Sequence, residues 1–381
     1  MRGIALIAAL AVVGTAVAGC GSGAQHATST SAAADVDARS CTGAVGVMAP
    51  YGGRSQDDTT QMNWARVSLD KFNQEHGTNF TLIPANVDGN PTAGKRDARA
   101  LAANANVIGV VGPKTSTVTR AVGPIFDAAD LVYVSPSATN TTLTDGSLKD
   151  FYRVVASDAK QAPAMGTYIA EHLKPKTVLI VKDDEVYSQD LAKGLKASLD
   201  EHGVASKTIE ISTIQSDFAD VVAQVDANVN VVALPILDAT QATAIVTALE
   251  KAGKYPTFIG GDALFLDSFR APGAYVTTPA ADISKDPSAQ EDIRLYQSIF
   301  GEFDYFGAPS YVAMEVVLDA AFEVCKEHGE VTREEMVKQV PKTHLPTSVL
   351  GTPIAFTPEH EFKGASVHVY QAGPGGFELV Q

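Results

Sequence analysis

The stretch VIGVVGPKTSTVTRAVGPIFDAADLVYVSPSATN, residues 107–140, decides the fold of this chain. It predicts a strand over 107–111, a helix over 118–128 and a strand over 131–134, and each strand is followed by a loop of small and hydroxyl residues. Short apolar runs that alternate with segments of helical period are typical of open parallel sheets covered by helices on both faces. The sequence therefore predicts an α/β protein.

The same alternation continues on both sides of this stretch. Further strands are predicted over 44–48, 80–84, 177–182, 207–211, 229–234, 257–260, 274–278, 366–370 and 375–380. Further helices are predicted over 57–74, 92–104, 161–172, 188–202, 240–252, 287–301 and 309–328. Extended segments at 152–158, 274–281 and 353–357 interrupt the pattern, and we interpret them as three crossings between two lobes.

A folded body of about 340 residues exceeds what one hydrophobic core usually organises. The predicted fold class is therefore α/β, with two doubly wound, Rossmann-like lobes joined by a three-segment hinge. The N-terminal lobe is predicted to comprise 41–155 and 280–353, and the C-terminal lobe 156–279 and 354–381. A ligand of such a protein binds beyond the carboxyl ends of the strands, in the cleft between the lobes.

The N-terminus predicts export and lipidation. Arg2 precedes an apolar run over 4–13, and the sequence VAGC follows at 17–20. The run is too short to span a bilayer of ~30 Å as a helix, and small residues before a cysteine suit a lipoprotein signal peptidase. We therefore expect a signal peptide over 1–19, a lipid on Cys20 and attachment to the outer face of the bacterial cell membrane.

Residues 20–40 are mostly Gly, Ser, Ala and Thr, which predicts a flexible linker of roughly 25 Å. The net charge of -15 disfavours nucleic acid as a partner. Cys41 and Cys325 form an even pair in an oxidising compartment, so we expect a disulfide between them. No CxxC or HxxxH spacing occurs, and the sequence predicts neither a metal nor a cofactor.

Loops after the predicted strands carry the candidate ligand contacts. In the first lobe these loops are rich in hydroxyl groups, and in the second they combine carboxylates with apolar side chains. A helix that starts near Ser116 offers free amides to a ligand carboxylate, while the carbonyl of Ser137, the hydroxyl of Thr139 and the carboxylate of Asp262 are acceptors for an ammonium group. The predicted ligand contacts are Tyr51, Ser116, Ser137, Ala138, Thr139, Tyr187, Leu237, Asp262 and Phe265.

Residues 126–140, FDAADLVYVSPSATN, resemble the corresponding helix, strand and loop of the leucine/isoleucine/valine-binding proteins. The similarity also includes VMAP at 47–50, Tyr187, and GGD at 260–262. The resemblance implies the type I periplasmic binding protein fold and the solute-binding subunit of an ABC importer, acting as a monomer that delivers an amino acid to permease subunits in the membrane. It also implies that Ser116 and Thr139 bind the α-carboxylate and α-amino groups, and that Asp262 holds the ammonium.

The second lobe departs from that family in the loop at 235–238, which reads PILD where the family carries aromatic residues. A polar amino acid, an amide or another small metabolite therefore remains an alternative to a branched-chain amino acid. A ligand-sensing module that signals to a partner protein is an alternative function on the same fold. Catalysis is not predicted, because no histidine falls in the predicted site loops and no GxSxG or phosphate-loop motif is present.

Overall fold

The computed structural model describes residues 37–51, 59–87, 89–266, 268–269 and 271–381. The strands are β1 (Thr42–Ala49), β2 (Asn79–Asn86), β3 (Val107–Val111), β4 (Tyr133–Ser135), β5 (Phe151–Arg153), β6 (Thr177–Lys182), β7 (Ala205–Glu210), β8 (Val229–Leu234), β9 (Thr257–Gly260), β10 (Tyr275–Thr278), β11 (His344–Leu345), β12 (Ile354–Ala355), β13 (His368–Gly373) and β14 (Gly376–Leu379). The helices are α1 (Thr60–His76), α2 (Pro91–Ala103), α3 (Ser116–Asp127), α4 (Asp158–Tyr168), α5 (Val186–Glu201), α6 (Ala219–Gln224), α7 (Ala239–Lys251), α8 (Gln290–Phe300), α9 (Pro309–His328) and α10 (Arg333–Gln339).

The first lobe is built on a parallel five-stranded sheet of order β2-β1-β3-β4-β5. Successive side chains of a strand point to opposite faces, and β1 illustrates the consequence. Val45 and Val47 pack in one core with α1 and α9, whereas Ala44 and Met48 pack in another with α2 and α3. Both faces are therefore buried, which explains why the strands read as nearly continuous apolar runs.

The second lobe is built on a seven-stranded sheet of order β14-β13-β10-β9-β8-β6-β7. Its strands from β6 to β10 are parallel, and β13 and β14 add an antiparallel edge. Leu179 and Val181 of β6 face one core, and Val178 and Ile180 face the other. The predicted α/β class with two doubly wound lobes is confirmed.

The chain passes between the two lobes three times: from β5 to α4, from β10 to α8, and from β12, which pairs with β11 in a separate two-stranded sheet, to β13. The third passage differs in position from the predicted one. Ile354, Phe356 and Phe362 pack in the core of the first lobe, and the chain joins the second sheet only at His368. The packing thus favours a change of lobe after residue 362 rather than at the predicted boundary of 354.

The disulfide and the N-terminal segment complete the description of the fold. Cys41 and Cys325 form a disulfide, which ties the start of β1 to α9 across 284 positions of the chain. The end of the predicted linker contains a short turn at Ala38–Ser40, while the predicted signal peptide, Cys20 and linker residues 20–36 lie outside the described residues. None of the helices that the structure describes has the length and apolar character needed to cross a bilayer.

Candidate ligand-binding site

Serine side chains join the loops that follow β3 and β4. The hydroxyl of Ser135 donates to the carbonyl of Pro113 at 2.7 Å and accepts from the N–H of Ala138 at 2.9 Å. The hydroxyl of Ser137 donates to the carbonyl of Lys114 at 2.7 Å. These bonds hold the predicted contacts Ser137 and Ala138 at the carboxyl edge of the first sheet, beside the start of α3.

A glycine allows these loops to approach the end of β1. Gly112 has a φ of +101°, and a Cβ atom on it would lie 2.6 Å from the carbonyl oxygen of Met48. Both the backbone conformation and the close approach exclude a side chain here. The end of β1 and the hydroxyl-rich loop after β3 are therefore in contact.

The N-terminus of α3 is the predicted carboxylate site. Thr115 is the capping residue, because its hydroxyl accepts from the N–H of Val118 at 3.3 Å. The Ser116 hydroxyl is buried and accepts from the N–H of Asn140 at 3.2 Å, and within the described chain it makes no bond as a donor. Ser116 can thus donate to a ligand anion at a helix N-terminus, where the helix dipole favours negative charge.

The second lobe places a tyrosine and an aspartate together. The hydroxyl of Tyr187, in the first turn of α5, donates to Oδ1 of Asp262 at 2.8 Å. Both side chains are buried. Gly261 makes this pairing possible, since a Cβ atom at that position would meet the Tyr187 oxygen at 2.1 Å. Two predicted contacts that are 75 positions apart therefore form one group.

A second buried carboxylate, Asp158, lies in the same region and was missed by the sequence reasoning. It is the first residue of α4, directly after the crossing from β5, and its N–H donates to the carbonyl of Thr139 at 2.8 Å. The carboxylate oxygens of Asp158 and the hydroxyl of Thr139 are buried and make no hydrogen bond of standard geometry within the described part of the chain. The sequence signal was its position at the end of the predicted crossing over 152–158, which alone does not show that the side chain is buried.

Burial raises the pKa values of both acids. Burial is the main cause that raises the pKa of Asp262 to about 6, while the hydrogen bond from Tyr187 favours its charged form. The pKa of Asp158 is raised well above its ordinary value, first by burial and then by the negative charges of Asp262 and Asp190. Two buried carboxylates that repel each other strongly favour a cation between or beside them.

The two lobes touch at the edge of this cleft. The side-chain amide of Asn140 donates to the carbonyl of Val186 at 3.1 Å, and the N–H of Thr141 donates to Oδ2 of Asp190 at 2.7 Å. The N–H of Val186 also donates to the hydroxyl of Thr117 at 3.2 Å. Residues that flank the predicted ligand contacts thus hold the lobes together in this structure.

The remaining predicted contacts lie elsewhere. Phe265 is fully buried in the second lobe, where its ring packs on those of Tyr305, Tyr370 and Phe377 at centroid distances of 4.8, 4.6 and 5.0 Å. That packing accounts for its burial without a ligand, and the structure therefore does not place it as a wall of the cleft. A three-residue turn at Asp262–Leu264 separates it from the cleft and directs it into the core.

Leu237 and Tyr51 lie on the rims of their lobes. Leu237 is half-buried in the loop after β8, and its N–H donates to Oδ2 of Asp183 at 3.0 Å. Tyr51 is 36% exposed just after β1, and its N–H donates to Oδ1 of Asn86 at 3.1 Å. The rest of the predicted first loop, residues 52–58, lies outside the described residues.

The site therefore has two chemically distinct ends. Ser116 and the N-terminus of α3 supply donors, and Asp158, Asp262 and the Tyr187 oxygen supply negative charge and acceptors. Thr139, whose main chain is bonded to Asp158, lies between the two ends. Donors at one end and carboxylates at the other are the arrangement that complements a small zwitterion.

The chain is similar in sequence and in structure to known binding proteins. A family model described as periplasmic binding protein matches residues 43–376. The Leu/Ile/Val-binding protein BraC3 of Rhizobium johnstonii is 27% identical over 344 residues, which cover 86% of this chain and 92% of that protein.

Two solved structures have the same fold. The leucine-binding protein LivK of Thermotoga maritima superposes with a TM-score of 0.79 at 20% identity, covering 89% of this chain and 97% of that one. The branched-chain amino acid binding protein LivJ of Streptococcus pneumoniae, in complex with isoleucine, gives a TM-score of 0.77 at 20% identity, covering 89% and 99%. The predicted resemblance to leucine/isoleucine/valine-binding proteins is thus confirmed, and the chain belongs to the periplasmic binding protein family.

Proposed function

We propose that this protein is the solute-binding lipoprotein of an ABC importer, which captures an amino acid between its lobes and delivers it to a membrane permease. The observation that carries the proposal is the pairing of two buried carboxylates, Asp158 and Asp262, with a donor-rich helix N-terminus at Ser116. A small zwitterion satisfies both ends at once. A ligand without a positive charge would leave the carboxylates uncompensated, which is costly in a buried site.

In the proposed complex, the ammonium group lies against Asp262 and Asp158. The Tyr187 hydroxyl already donates its hydrogen to Asp262, so its oxygen lone pairs face the cation. The α-carboxylate lies at the start of α3 and accepts from the Ser116 hydroxyl. Thr139 contacts both groups, because its hydroxyl can donate to the carboxylate or accept from the ammonium.

Capture follows from the distribution of these groups over the two lobes. Ser116, which binds the ligand carboxylate, and Thr139 belong to the first lobe, and Tyr187 and Asp262 belong to the second. A ligand that binds first to the first lobe presents its ammonium group to Asp262 of the second lobe. Closure is favoured to the extent that the closed form binds the ligand more tightly than the open form. The closed form is then the one that the permease recognises.

The loop after β8 and the position of Phe265 bear on the side chain of the ligand. No aromatic residue follows β8, where the loop reads PILD at 235–238, and Phe265 packs in the core. We therefore include polar amino acids beside branched-chain amino acids as candidate ligands.

Mass spectrometry identifies the ligand without assumptions about it. The protein, with Cys20 replaced by serine to prevent lipidation, is purified without denaturation and its bound small molecules are released and identified. The proposal predicts a compound with an ammonium group and a carboxylate. Recovery of an anionic or an uncharged compound as the specific ligand would contradict it. Cells that lack the gene should also lose uptake of that compound, and wild-type protein, but not Asp262→Asn, should restore it.

Lipid attachment is tested separately. Cells grown with a clickable palmitate analogue should incorporate the label into the wild-type protein but not into Cys20→Ser. The unlabelled variant should leave the membrane fraction. Equal labelling of both proteins would exclude Cys20 as the lipidation site.

A further inference from the structure

Arg153 is the most heavily bonded buried cation of the described chain, and it is fully inaccessible at the end of β5. Its guanidinium group donates to two main-chain carbonyls, to a hydroxyl and to both oxygens of a glutamate. The acceptors are the carbonyls of Ala138 at 3.1 Å and Asn140 at 2.8 Å, Oγ1 of Thr144 at 2.7 Å, and Oε2 and Oε1 of Glu361, the former at 3.0 Å. All the N–H groups of the guanidinium fork thus have partners on three separate segments of the chain.

Two of these partners belong to the ligand loop, which we define as residues 138–140. The carbonyls of Ala138 and Asn140 flank Thr139, and one nitrogen of Arg153 binds both of them. The same loop donates from the N–H of Asn140 to the hydroxyl of Ser116. Arg153 therefore binds the peptide carbonyls on either side of Thr139.

Glu361 orients Arg153 from the third passage between the lobes. Its two oxygens bind the guanidinium in a bidentate pair, and Oε1 also accepts from the Thr144 hydroxyl at 2.6 Å. Bidentate pairs fix geometry as well as charge, because the planar fork admits one orientation. Thr144 and Glu361 together accept three of the five hydrogen bonds that Arg153 donates.

The turn that carries Glu361 is itself held against β5. The N–H of Thr357 donates to the carbonyl of Glu361 at 2.8 Å, which closes the turn, and His360 adopts a φ of +65° within it. The His360 ring stacks on that of Tyr152 at 4.1 Å, and its Nδ1 lies 3.0 Å from the carbonyl oxygen of Phe151. A short distance along the chain, the Lys160 ammonium of α4 donates to the carbonyl of Ala365 at 2.9 Å.

A purely stabilising ion pair would not need this arrangement. Buried ion pairs are often no more stabilising than apolar side chains of similar volume, because removing two charges from water is costly. Here the guanidinium also satisfies two carbonyls of the ligand loop, and its one carboxylate partner comes from a segment that connects the lobes. The pair thus links the ligand loop to the turn at 357–361, which precedes the change of lobe.

We propose that Arg153, oriented by Glu361, is a positioning residue that holds the ligand loop in its binding conformation. The part of this inference that concerns ligand affinity rests on the proposed function. The part that concerns the loop does not, and it can be measured without any ligand.

Hydrogen–deuterium exchange of the ligand-free protein tests the loop. Glu361→Gln keeps the size and one acceptor oxygen but removes the charge that orients Arg153. We expect peptides covering 136–144 to exchange roughly tenfold faster in this variant, since a lost charge-assisted bond lowers the local opening free energy. Peptides from β8 and α7 should be unchanged. The matched control is Glu334→Gln, which breaks an exposed pair with Lys338.

The affinity of the same variants for each of the twenty amino acids tests the effect of Arg153 on ligand binding. Any amino acid that binds the wild-type protein should bind Glu361→Gln roughly tenfold more weakly and Glu334→Gln equally well. Arg153→Lys, which keeps the charge but not the fork, should behave like Glu361→Gln if it folds.

The outcomes separate the two ideas. Unchanged exchange at 136–144, or a rise that is equal in all peptides, would overturn the positioning role, as would faster loop exchange with unchanged affinity. If no amino acid binds the wild-type protein, the proposed function fails, while the exchange result still decides whether Arg153 positions the loop.

Discussion

The hydroxyl of Tyr187 donates to Oδ1 of Asp262 across a distance of 2.8 Å, with both side chains buried in the second lobe. This bond stabilises the charged form of an acid whose burial opposes ionisation. The hydroxyl hydrogen of Tyr187 is used in this bond, so that the pair presents only oxygen acceptors to a ligand. An ammonium group is the complement of such a pair.

Tyr187→Phe should therefore weaken ligand binding and shift its dependence on pH. Loss of the donor raises the pKa of Asp262 further, because the charged carboxylate loses a hydrogen bond. Titration calorimetry should give an affinity about tenfold lower at neutral pH, the usual effect of one hydrogen bond to a charged group. The acid limb of the affinity profile should move to higher pH. A profile identical to that of the wild type would separate Tyr187 from the ammonium site.

Amino acid affinity in the wild-type protein should fall as pH decreases from 7 to 5. Burial raises the pKa of Asp262 to about 6, so this acid gains a proton over that range. A protonated carboxyl no longer compensates an ammonium group, which keeps its own charge throughout. Calorimetry at several pH values checks this, and affinity that is constant or rises toward pH 5 would contradict it.

The ligand-free protein should show the opposite trend in stability. The folded-state pKa of Asp262 lies above its ordinary value of 3.8, so the folded protein binds the proton more tightly than the unfolded chain does. The contribution of this group to the free energy of unfolding is therefore larger near pH 4 and is lost as pH rises through 6. Thermal unfolding of the wild type and Asp262→Asn isolates the contribution of Asp262. As pH rises from 5 to 7, the melting temperature of the wild type should fall relative to that of the variant. A difference that is independent of pH would refute this assignment.

Removal of the disulfide should lower stability without lowering affinity. Cys41 and Cys325 close a loop of 284 positions. Opening so long a loop raises the entropy of the unfolded chain, which lowers the free energy of unfolding by about 2–5 kcal/mol. The bond lies at the start of β1 and in α9, away from Asp158 and Asp262. Cys325→Ser should melt at a lower temperature with unchanged ligand affinity. An unaltered melting temperature would show that the bond does not constrain the chain in solution.

Much of this fold was predictable because the strands are buried on both faces. The strands Val107–Val111, Thr177–Lys182, Val229–Leu234 and Thr257–Gly260, and the helix Pro309–His328, have the bounds that the sequence predicts. Each is a continuous apolar run or a strongly periodic segment. The helices Ala219–Gln224 and Arg333–Gln339 were not predicted, because they are short and tertiary packing rather than periodicity stabilises them.

The site was predictable where strand ends could be located, and less so where side-chain direction mattered. Ser116, Thr139, Tyr187 and Asp262 follow strands or begin helices, and in the structure they are buried and linked to one another through Asn140 and Asp158. Phe265 follows a short turn whose rotation cannot be read from the sequence, and it packs in the core. Asp158 was missed because nothing local distinguishes a helix-starting aspartate that caps its helix from one that is buried beside another acid.

The measurement that tests the account most directly is a thermal-shift and calorimetry screen of the unlipidated protein against the twenty amino acids, together with Asp262→Asn. The matched control is Asp200→Asn, since Asp200 is exposed on α5 and pairs with Lys196. We predict that at least one amino acid raises the melting temperature of the wild type and the control by several degrees. In Asp262→Asn that shift should disappear, with affinity lower by at least about a hundredfold. No shift with any amino acid, or an equal shift in Asp262→Asn, would contradict the central claim that these buried carboxylates bind the ammonium group of an amino acid.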